Sequence, residues 1–580
     1  MRTVPPTEKG KYRAIASGAI ANGKPVVVNS AGTVSVVSGA AQSLGSETEF
    51  TTSAANYVQV VYDSNSDRSV IIYRNGNNSK GEAIVGTVSG TSISYGTAVE
   101  FEQGNTEFIG ATFDSNSNKV VIAYRDAGNS NYGTAIVGTV DPSDNSISFG
   151  TAAVFESAHA WIIDATFDSS NNKVVITYTD AGNSNYGTAI VGTVSGTDIT
   201  FGTAVVFKSA ATYYAVGTFD TTNNKVVVFY DDQSNLNGIV GTVSGTSISF
   251  GSEASAQSGA YSYIDVAFDS SNGKVLVVGA NGSNSNYGEA TVGTVSGTDI
   301  SFGTTVTYES ATSIYNRVVF DSSVNKFVVT YRDQGDSNKG KFILGTVSGT
   351  DISFAGETEF NAATEYMGLD FDSSSEKVVI GYKDQGDGDD GTVRVLQNAV
   401  PTNLTTENYI GIANSCSFHG NTETITVTVA GGIFYLDGVA NPVIQLLKGH
   451  TYIFDQADNT NDGHPLHFKD SGGSQYTTGV TVTGTAGTSG AKVTIAIASD
   501  ATEPTRYYCT VHGNGMGNTI NLSDSFVNVD VIGTVNDQQS SLTAGQQYFV
   551  QTDGTLSETA DSPSVFAGTA ISATELVVKE

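Results

Sequence analysis

The sequence predicts an all-β chain dominated by a seven-bladed β-propeller, and three observations carry that reading. An aromatic residue followed by Asp and a polar turn recurs at Tyr62-Asp63, Phe113-Asp114, Phe167-Asp168, Phe219-Asp220, Phe268-Asp269, Phe320-Asp321 and Phe371-Asp372, at intervals of 49 to 54 residues. Each repeat, of which FIGATFDSNSNKVVIAYRDAGNSNYGTAIVGTVDPSDNSISFGTAAVF is one, holds four runs rich in Val, Ile, Phe, Tyr and Thr between Asn/Asp/Ser/Gly turns, the signature of four β-strands. The seventh repeat stops after three strands at GTVRVLQNAV, and a match to its missing strand, LGSETEFTT from Leu44 to Thr52, lies ahead of the first repeat.

A four-stranded unit of about 50 residues has the size of a propeller blade, whereas a solenoid rung has roughly 20 to 30. An N-terminal strand that completes the last blade closes the ring, and closure removes exposed sheet edges. The ring is therefore predicted over residues 42–400, with a three-plus-one closing blade. Residues 1–41 and 524–580 share a strand–turn–strand pattern: ANGKPVVVNSAGTVS (Ala21 to Ser35) aligns on AGQQYFVQTDGTLS, with Gly23 over Gly545, Val28 over Val550 and Gly32 over Gly554. The two chain ends are expected to pair into a small β module, with 401–423 as a linker or part of it. Over 424–523 the repeat vanishes, and TITVTVAGGIFYLDG, PVIQLLKGHTYIFDQ and KVTIAIAS predict seven or eight strands of an antiparallel sandwich. Helical periodicity is absent.

The formal charge of −31 comes from 58 acidic and 27 basic residues, yet only 15% of residues are charged. Nucleic acid and anionic membranes need clustered Lys/Arg, so neither is an expected partner. The opening MRTVPPTEKGKYR has no apolar signal core, and no run approaches the roughly 20 apolar residues of a membrane span. A soluble chain made in the cytosol, without membrane insertion, is expected. Two cysteines, Cys416 and Cys509, make no disulfide framework for a chain this long.

The sharpest chemistry lies in RYYCTVHGNGM, with Cys509, His512 and Met516, and in DGHPLHF, which supplies His464 from a distant strand. A thiolate, two imidazoles and a thioether form the soft mixed set of a blue-copper centre. At these residues 424–523 resembles the cupredoxin family, of the plastocyanin and pseudoazurin type. The resemblance implies a β-sandwich with His464, Cys509, His512 and Met516 as copper ligands. Three residues separate His512 from Met516, where the family has two or four, so Met516 departs from its pattern. His467, three residues past His464, points to the other face of an extended strand. Cys416 and His419 in NSCSFHG make a second thiol/imidazole pair, in a stretch that reads as solvated loop. No further His clusters of multicopper oxidases occur, which favours electron transfer or structure over oxidase chemistry.

On the propeller, the loops YRDAGNSNYG, YTDAGNSNYG, YRDQGDSNKG and YKDQGDGDDG share a face with the one Trp, Trp161, and with His159. Trp161, Tyr132, Tyr186 and Tyr287 are the candidate surface-binding residues. Five residues before each anchor aromatic stand Tyr57, Phe108, Ile162, Tyr214, Tyr263, Tyr315 and Tyr366. Such a ring at a channel mouth suits sugar stacking, but packing in the core between blades is the favoured reading. Asp384, Asp387, Asp389 and Asp390 offer the hard oxygen ligands that calcium takes, without the terminal Glu of an EF-hand, and read as a solvated turn. No Ser/His/Asp arrangement or phosphate-cradling loop occurs, and the anchor Asp recurs as scaffolding does. The chain is expected not to be an enzyme.

The whole chain is similar to virion structural proteins of marine tailed bacteriophages, cyanophages among them. ANGKPVVVNSAGTVSVV, FDSSNNKVVI, VGTVSGTDISFG, NYIGIA (Asn408 to Ala413) and the ending LTAGQQYFVQTDGTLSETADSPSVFAGTAISATELVVKE carry the likeness. It implies a tail, fibre or surface-decoration protein in the virion, synthesised in the host cytoplasm. A homo-oligomer is implied, contacting other virion proteins and contributing to attachment through a host glycan or receptor. The cupredoxin-like segment looks inserted between NYIGIA and the terminal module. A copper electron-transfer protein, a secreted adhesin and a pure architectural spacer are the alternatives.

Overall fold

The computed structural model describes residues 3–8, 11–17, 20–30, 32–415, 422–498, 501–523 and 526–578; Cys416 and His419 lie outside them. Among the described residues, regular structure is β-strand apart from four single-turn 3₁₀ helices. They divide into two compact units, 42–399 and 1–41 with 400–580.

In 42–399 each repeat opens with three antiparallel strands. In the second they are Thr106–Asp114, Lys119–Asp126 and Tyr132–Asp141. The anchor Asp shapes the first hairpin: Asp114 Oδ1 accepts the N–H groups of Asn116 and Ser117 at 3.0 and 2.9 Å, and Asn118 takes φ 55°. Asp63, Asp168, Asp220, Asp269 and Asp372 cap their turns in the same way, each no more than 4% exposed. A short carboxylate satisfies two buried turn donors at once, which explains its recurrence. Second-strand tyrosines are buried but satisfied: Tyr124, Tyr178 and Tyr382 donate to Glu102, Glu156 and Glu47 at 2.9, 3.0 and 3.3 Å.

The expected fourth strand is two short pieces. Ser146–Phe149 covers one half of Tyr132–Asp141, and the start of Ala153–Asp168 covers the other. The break falls at Gly150, where a Cβ would stand 1.9 Å from the Thr197 carbonyl oxygen of the next repeat. Gly45, Gly96, Gly202, Gly251 and Gly303 meet a carbonyl of the following repeat at 1.8 to 2.0 Å in the same way. Backbone thus touches backbone between repeats, which no side chain permits. In the seventh repeat, Asp390–Gln397 pairs with residues from ahead of the first, Leu396 with Leu44 and Asp390 with Ala54.

The inner strands, which end in the anchors, neighbour one another in the order Thr48–Asp63, Thr106–Asp114, Ala153–Asp168, Tyr213–Asp220, Tyr261–Asp269, Val306–Asp321, Thr364–Asp372 and back to Thr48–Asp63. Carboxylates tie some of these edges. Asp164, Asp265 and Asp370 accept the N–H groups of Gly217, Val318 and Tyr62, each at 2.8 Å, the last joining the seventh repeat to the first. The apolar core lies between repeats: Val121 and Ala123 of one share a cluster with Ile163 and Ile176 of the next.

In the other unit, a six-stranded sheet runs Thr3–Glu8, Lys11–Ile15, Phe526–Asp530, Tyr409–Ser415, Pro25–Val28, Val34–Val36. A five-stranded sheet runs Val535–Asn536, Leu576–Val578, Val565–Ala570, Gln547–Val550, Leu556–Ser557. The two similar hairpins therefore do not pair with each other. The open edge of the first is taken by Tyr409–Ser415 and that of the second by Val565–Ala570, while Val27, Val37, Tyr548 and Val550 share one core. The described residues of 422–523 form eleven strands, two of them only two residues long. They are not purely antiparallel, since Thr422–Ala430 runs parallel to Thr451–Asp455 and Ile444–Leu447 parallel to Ile520–Ser523. Their core gathers Val427, Phe434, Phe454, Phe468, Ile495 and Tyr507.

Candidate functional site

Two places gather chemistry. The first is at the end of strand Arg506–Cys509, which pairs with Leu466–Lys469 so that Leu466 stands opposite Cys509. His464, just ahead of that strand, is therefore brought to the loop by a hydrogen-bonded neighbour that is distant in sequence. The chain turns back after Cys509, whose carbonyl accepts the Gly513 N–H at 2.8 Å, and this brings His512 under the sulfur. His464 Nδ1 and His512 Nδ1 are 3.1 Å apart, His512 Nδ1 is 3.5 Å from Cys509 Sγ, and one donor atom from each residue lies within 4.8 Å of the others.

These separations fit a metal. Two bonds of about 2.0 Å meeting near 100° span roughly 3.1 Å, and a sulfur bond of about 2.3 Å with a nitrogen bond of about 2.0 Å at a near-tetrahedral angle spans roughly 3.5 Å. Cys509 is fully buried, His464 is half-buried and His512 is exposed. Met516, in the turn Asn514–Met516, is 3% exposed and packs in the same core cluster as Cys509. A second layer holds His464: its N–H donates to Asn461 and its carbonyl accepts from Gln456 Nε2 at 3.1 Å. His467 is apart from this group, with its Nδ1 2.9 Å from Gln475 Nε2.

The second place is the channel between the inner strands. Tyr57, Phe108, Ile162, Tyr214, Tyr263, Tyr315 and Tyr366 all take φ between 45° and 54°, each where the inner strand slips register against the second strand. Aromatic and β-branched residues rarely adopt this conformation, and a bulge re-aims a side chain. Here it sets the seven half-buried side chains on the wall of a cavity of about 770 Å³, while Tyr57, Tyr214, Tyr315 and Tyr366 also pack against the core between repeats, as the sequence suggested. Neighbouring rings sit 5.6 Å (Tyr57 to Phe108), 5.1 Å (Tyr57 to Tyr366), 5.1 Å (Tyr366 to Tyr315), 5.0 Å (Tyr315 to Tyr263) and 5.7 Å (Tyr263 to Tyr214) apart. Farther in, burial pushes the Asp164 and Asp370 carboxyls up to about 7 and about 6.

The collar breaks in the third repeat, at Ile162. Beside the break Trp161 is 39% exposed and lies nearly parallel to Phe108, at 6.4 Å and 12°. His159 is 5.2 Å from Trp161, and its Nε2 is 2.6 Å from Arg125 Nη1. The Arg125 guanidinium stacks 4.6 Å from the Phe108 centroid and pairs through Nη2 with Glu107, which also takes Arg74 at 3.4 Å. Burial and then the Arg125 charge lower the His159 pKa, which keeps the imidazole neutral. Among the predicted surface residues, Tyr132 stands opposite His159 in register, while Tyr186 and Tyr287 occupy the same position in their own repeats, opposite Ala211 and Thr312. The sequence placed Phe108 in the aromatic ring but gave no role to Arg125 or Glu107. The sequence signal for these two was that Arg125 sits in the YRDAGNSNYG loop, on the same face as Trp161.

The acidic loop does not converge on one point. Asp384 is turned inward to Gly386 and Asn361, Asp389 lies 3.3 Å from Lys383, and Asp387 and Asp390 gather with Glu49.

No family model matches the chain, and no curated protein matches it in sequence. Solved structures with a similar fold include one described as the Dos1 propeller, with 13% identity, a TM-score of 0.37, and 67% of this chain and 89% of that one covered. The BP39L lectin from Burkholderia pseudomallei gives 11% identity and a TM-score of 0.43, with 62% and 98% covered. The polysaccharide lyase Uly1 gives 8% identity and a TM-score of 0.41, with 62% and 99% covered. The expectation that the chain is not an enzyme is not borne out: one of these similar structures is a polysaccharide lyase, at 8% identity.

Proposed function

We propose that the chain is a carbohydrate-binding structural protein of a tailed-bacteriophage virion. In this reading 42–399 form a seven-bladed propeller with a three-plus-one closing blade, and its channel mouth holds the sugar site. The cyclic neighbours of the inner strands and the N-terminal pairing to the last repeat support the blade count. The observation that carries the binding reading is Trp161, 39% exposed and parallel to Phe108, with Arg125 over its ring at 6.0 Å and His159 beside it. Aromatic faces take sugar C–H surfaces while polar edges fix hydroxyls, and large exposed aromatics are enriched where proteins bind. The virion setting, with assembly as a homo-oligomer beside other virion proteins, rests on the sequence likeness of the repeats and terminal module. Glycan-array binding of the purified chain tests the reading, with Trp161→Ala expected to lower the signal at least tenfold. An array blank for the native chain overturns it.

A second reading has its own support. The Cys509, His464 and His512 donors fit a cupredoxin-type copper site with Met516 as the weak fourth ligand. When bound, copper would supply one-electron transfer. The buried Cys509 and the hydrogen-bonded His464 backbone would hold the ligand geometry fixed. An intense blue colour on adding one equivalent of Cu(II) supports this reading, and a colourless mixture ends it.

A further inference from the structure

The channel mouth is not charged evenly. In a chain of net charge −31, the second-strand residue just ahead of the loop Asp or Asn is basic in four repeats, as Arg74, Arg125, Arg332 and Lys383, but is Thr179 in the third repeat and Ala280 in the fifth. The four belong to the sixth, seventh, first and second repeats, which follow one another around the inner strands, so the cations form one continuous arc. Three of them stack behind the collar: Arg74 lies 5.6 Å from the Tyr57 centroid, Arg125 4.6 Å from Phe108 and Lys383 5.8 Å from Tyr366.

Two glutamates serve all four. Glu107 takes Arg74 and Arg125, and Glu365 takes Arg332 at 2.7 Å and Lys383 at 3.2 Å. Half-buried Asp389 adds a 3.3 Å contact to Lys383 only, so at the Arg74–Arg125 end two guanidiniums share one carboxylate. At that end Arg125 spends an Nη1–H on a neutral His159 nitrogen, beside the partly exposed Trp161. A carboxylate is a stronger acceptor for a guanidinium than an imidazole nitrogen, and the planar fork matches it in geometry.

We propose that the sugar stacked on Trp161 carries a carboxylate, and that Arg125 with His159 receives it, so that the site selects acidic saccharides over neutral ones. This rests on the carbohydrate reading above. Uronic and sialic acids present the same group, and the test separates them.

The full chain is titrated with polygalacturonate, polysialic acid, dextran and dextran sulfate. Binding to polygalacturonate or polysialic acid at least tenfold tighter than to dextran is expected, and whichever acid binds more tightly names the source. Arg125→Gln should bring the acidic and neutral affinities within about threefold, and Trp161→Ala should weaken both. Should Arg125→Gln fail to fold, His159→Gln is the second variant, expected to narrow the preference at least threefold. Equal binding of acidic and neutral polymers, still lost in Trp161→Ala, overturns the acidic selection and leaves the carbohydrate reading standing. An acid preference unchanged in a folded Arg125→Gln or His159→Gln also overturns it. Dextran sulfate bound best, and unaffected by all the variants, overturns it as unselective charge attraction. Binding to none of the four, together with a blank glycan array, brings down the reading beneath it.

Discussion

The repeats over 42–399 and the segment over 422–523 are built from similar strand-rich sequence, yet they distribute polar chemistry in opposite ways. In the repeats a carboxylate recurs at the first turn, and nearly all of that chemistry is spent on backbone donors: Asp114, Asp220 and Asp372 each hold two N–H groups. In the segment, three donor side chains with no such duty converge at the end of one strand. Polar groups that recur evenly are solving a problem of the fold, and those that occur once are free for another use. Trp161, His159 and the break at Ile162 belong to the second kind although they lie inside the first region.

The largest effect expected from this contrast is at Cys509. Cys509→Ser should abolish both the blue colour and the bound copper measured by elemental analysis, while leaving glycan binding as in the native chain. Loss of copper and of glycan binding together would mean that the two regions are not separable. A smaller but firm effect is expected at the repeat junctions. Gly202→Ala drives a Cβ to 1.8 Å from the Thr246 carbonyl, and overpacking of this sort costs about 1–3 kcal/mol, read as a lower midpoint in denaturant. Ala355 occupies the same place in the sixth repeat, where the following repeat lacks the Ser-Gly-Thr hairpin. Ala355→Gly should therefore shift the midpoint far less, and equal shifts would break the junction account.

The repeats were legible because their signals are local. The Asp turn and the strand composition each act within a few residues, and the strand missing from the seventh repeat could be matched by eye. The metal loop was legible for the same reason, since Cys509, His512 and Met516 lie within eight residues. What escaped was set by contacts distant in sequence. The left-handed backbone at Tyr57 and its six counterparts comes from bulges against a second strand, so residues read as core also line a channel. The Arg125 to His159 contact joins two repeats, and no residue type announces it. The Gly at each junction was visible as a repeat, but its reason, a carbonyl of the next repeat, is not. The parallel pairs at Thr422–Ala430 and Ile444–Leu447 depend on connections that strand composition does not encode.

The smallest expected effect tests whether the channel carboxylates belong with the scaffold. Asp164 accepts the Gly217 N–H across an inner-strand edge, yet burial raises its carboxyl from 3.8 to about 7. A raised carboxyl pKa means that the folded chain binds the proton more tightly than the unfolded chain between about pH 4 and 7, so stability from this group falls as pH rises through that window. Asp164→Asn keeps an acceptor oxygen for Gly217 and cannot ionise. Melts at pH 4, 6 and 8 should show the variant equal to or slightly below the native chain at pH 4 and gaining on it by a few degrees at pH 8. A gap that stays constant across that range would place Asp164 outside the buried scaffold and return it, with Trp161, to the residues the fold leaves free.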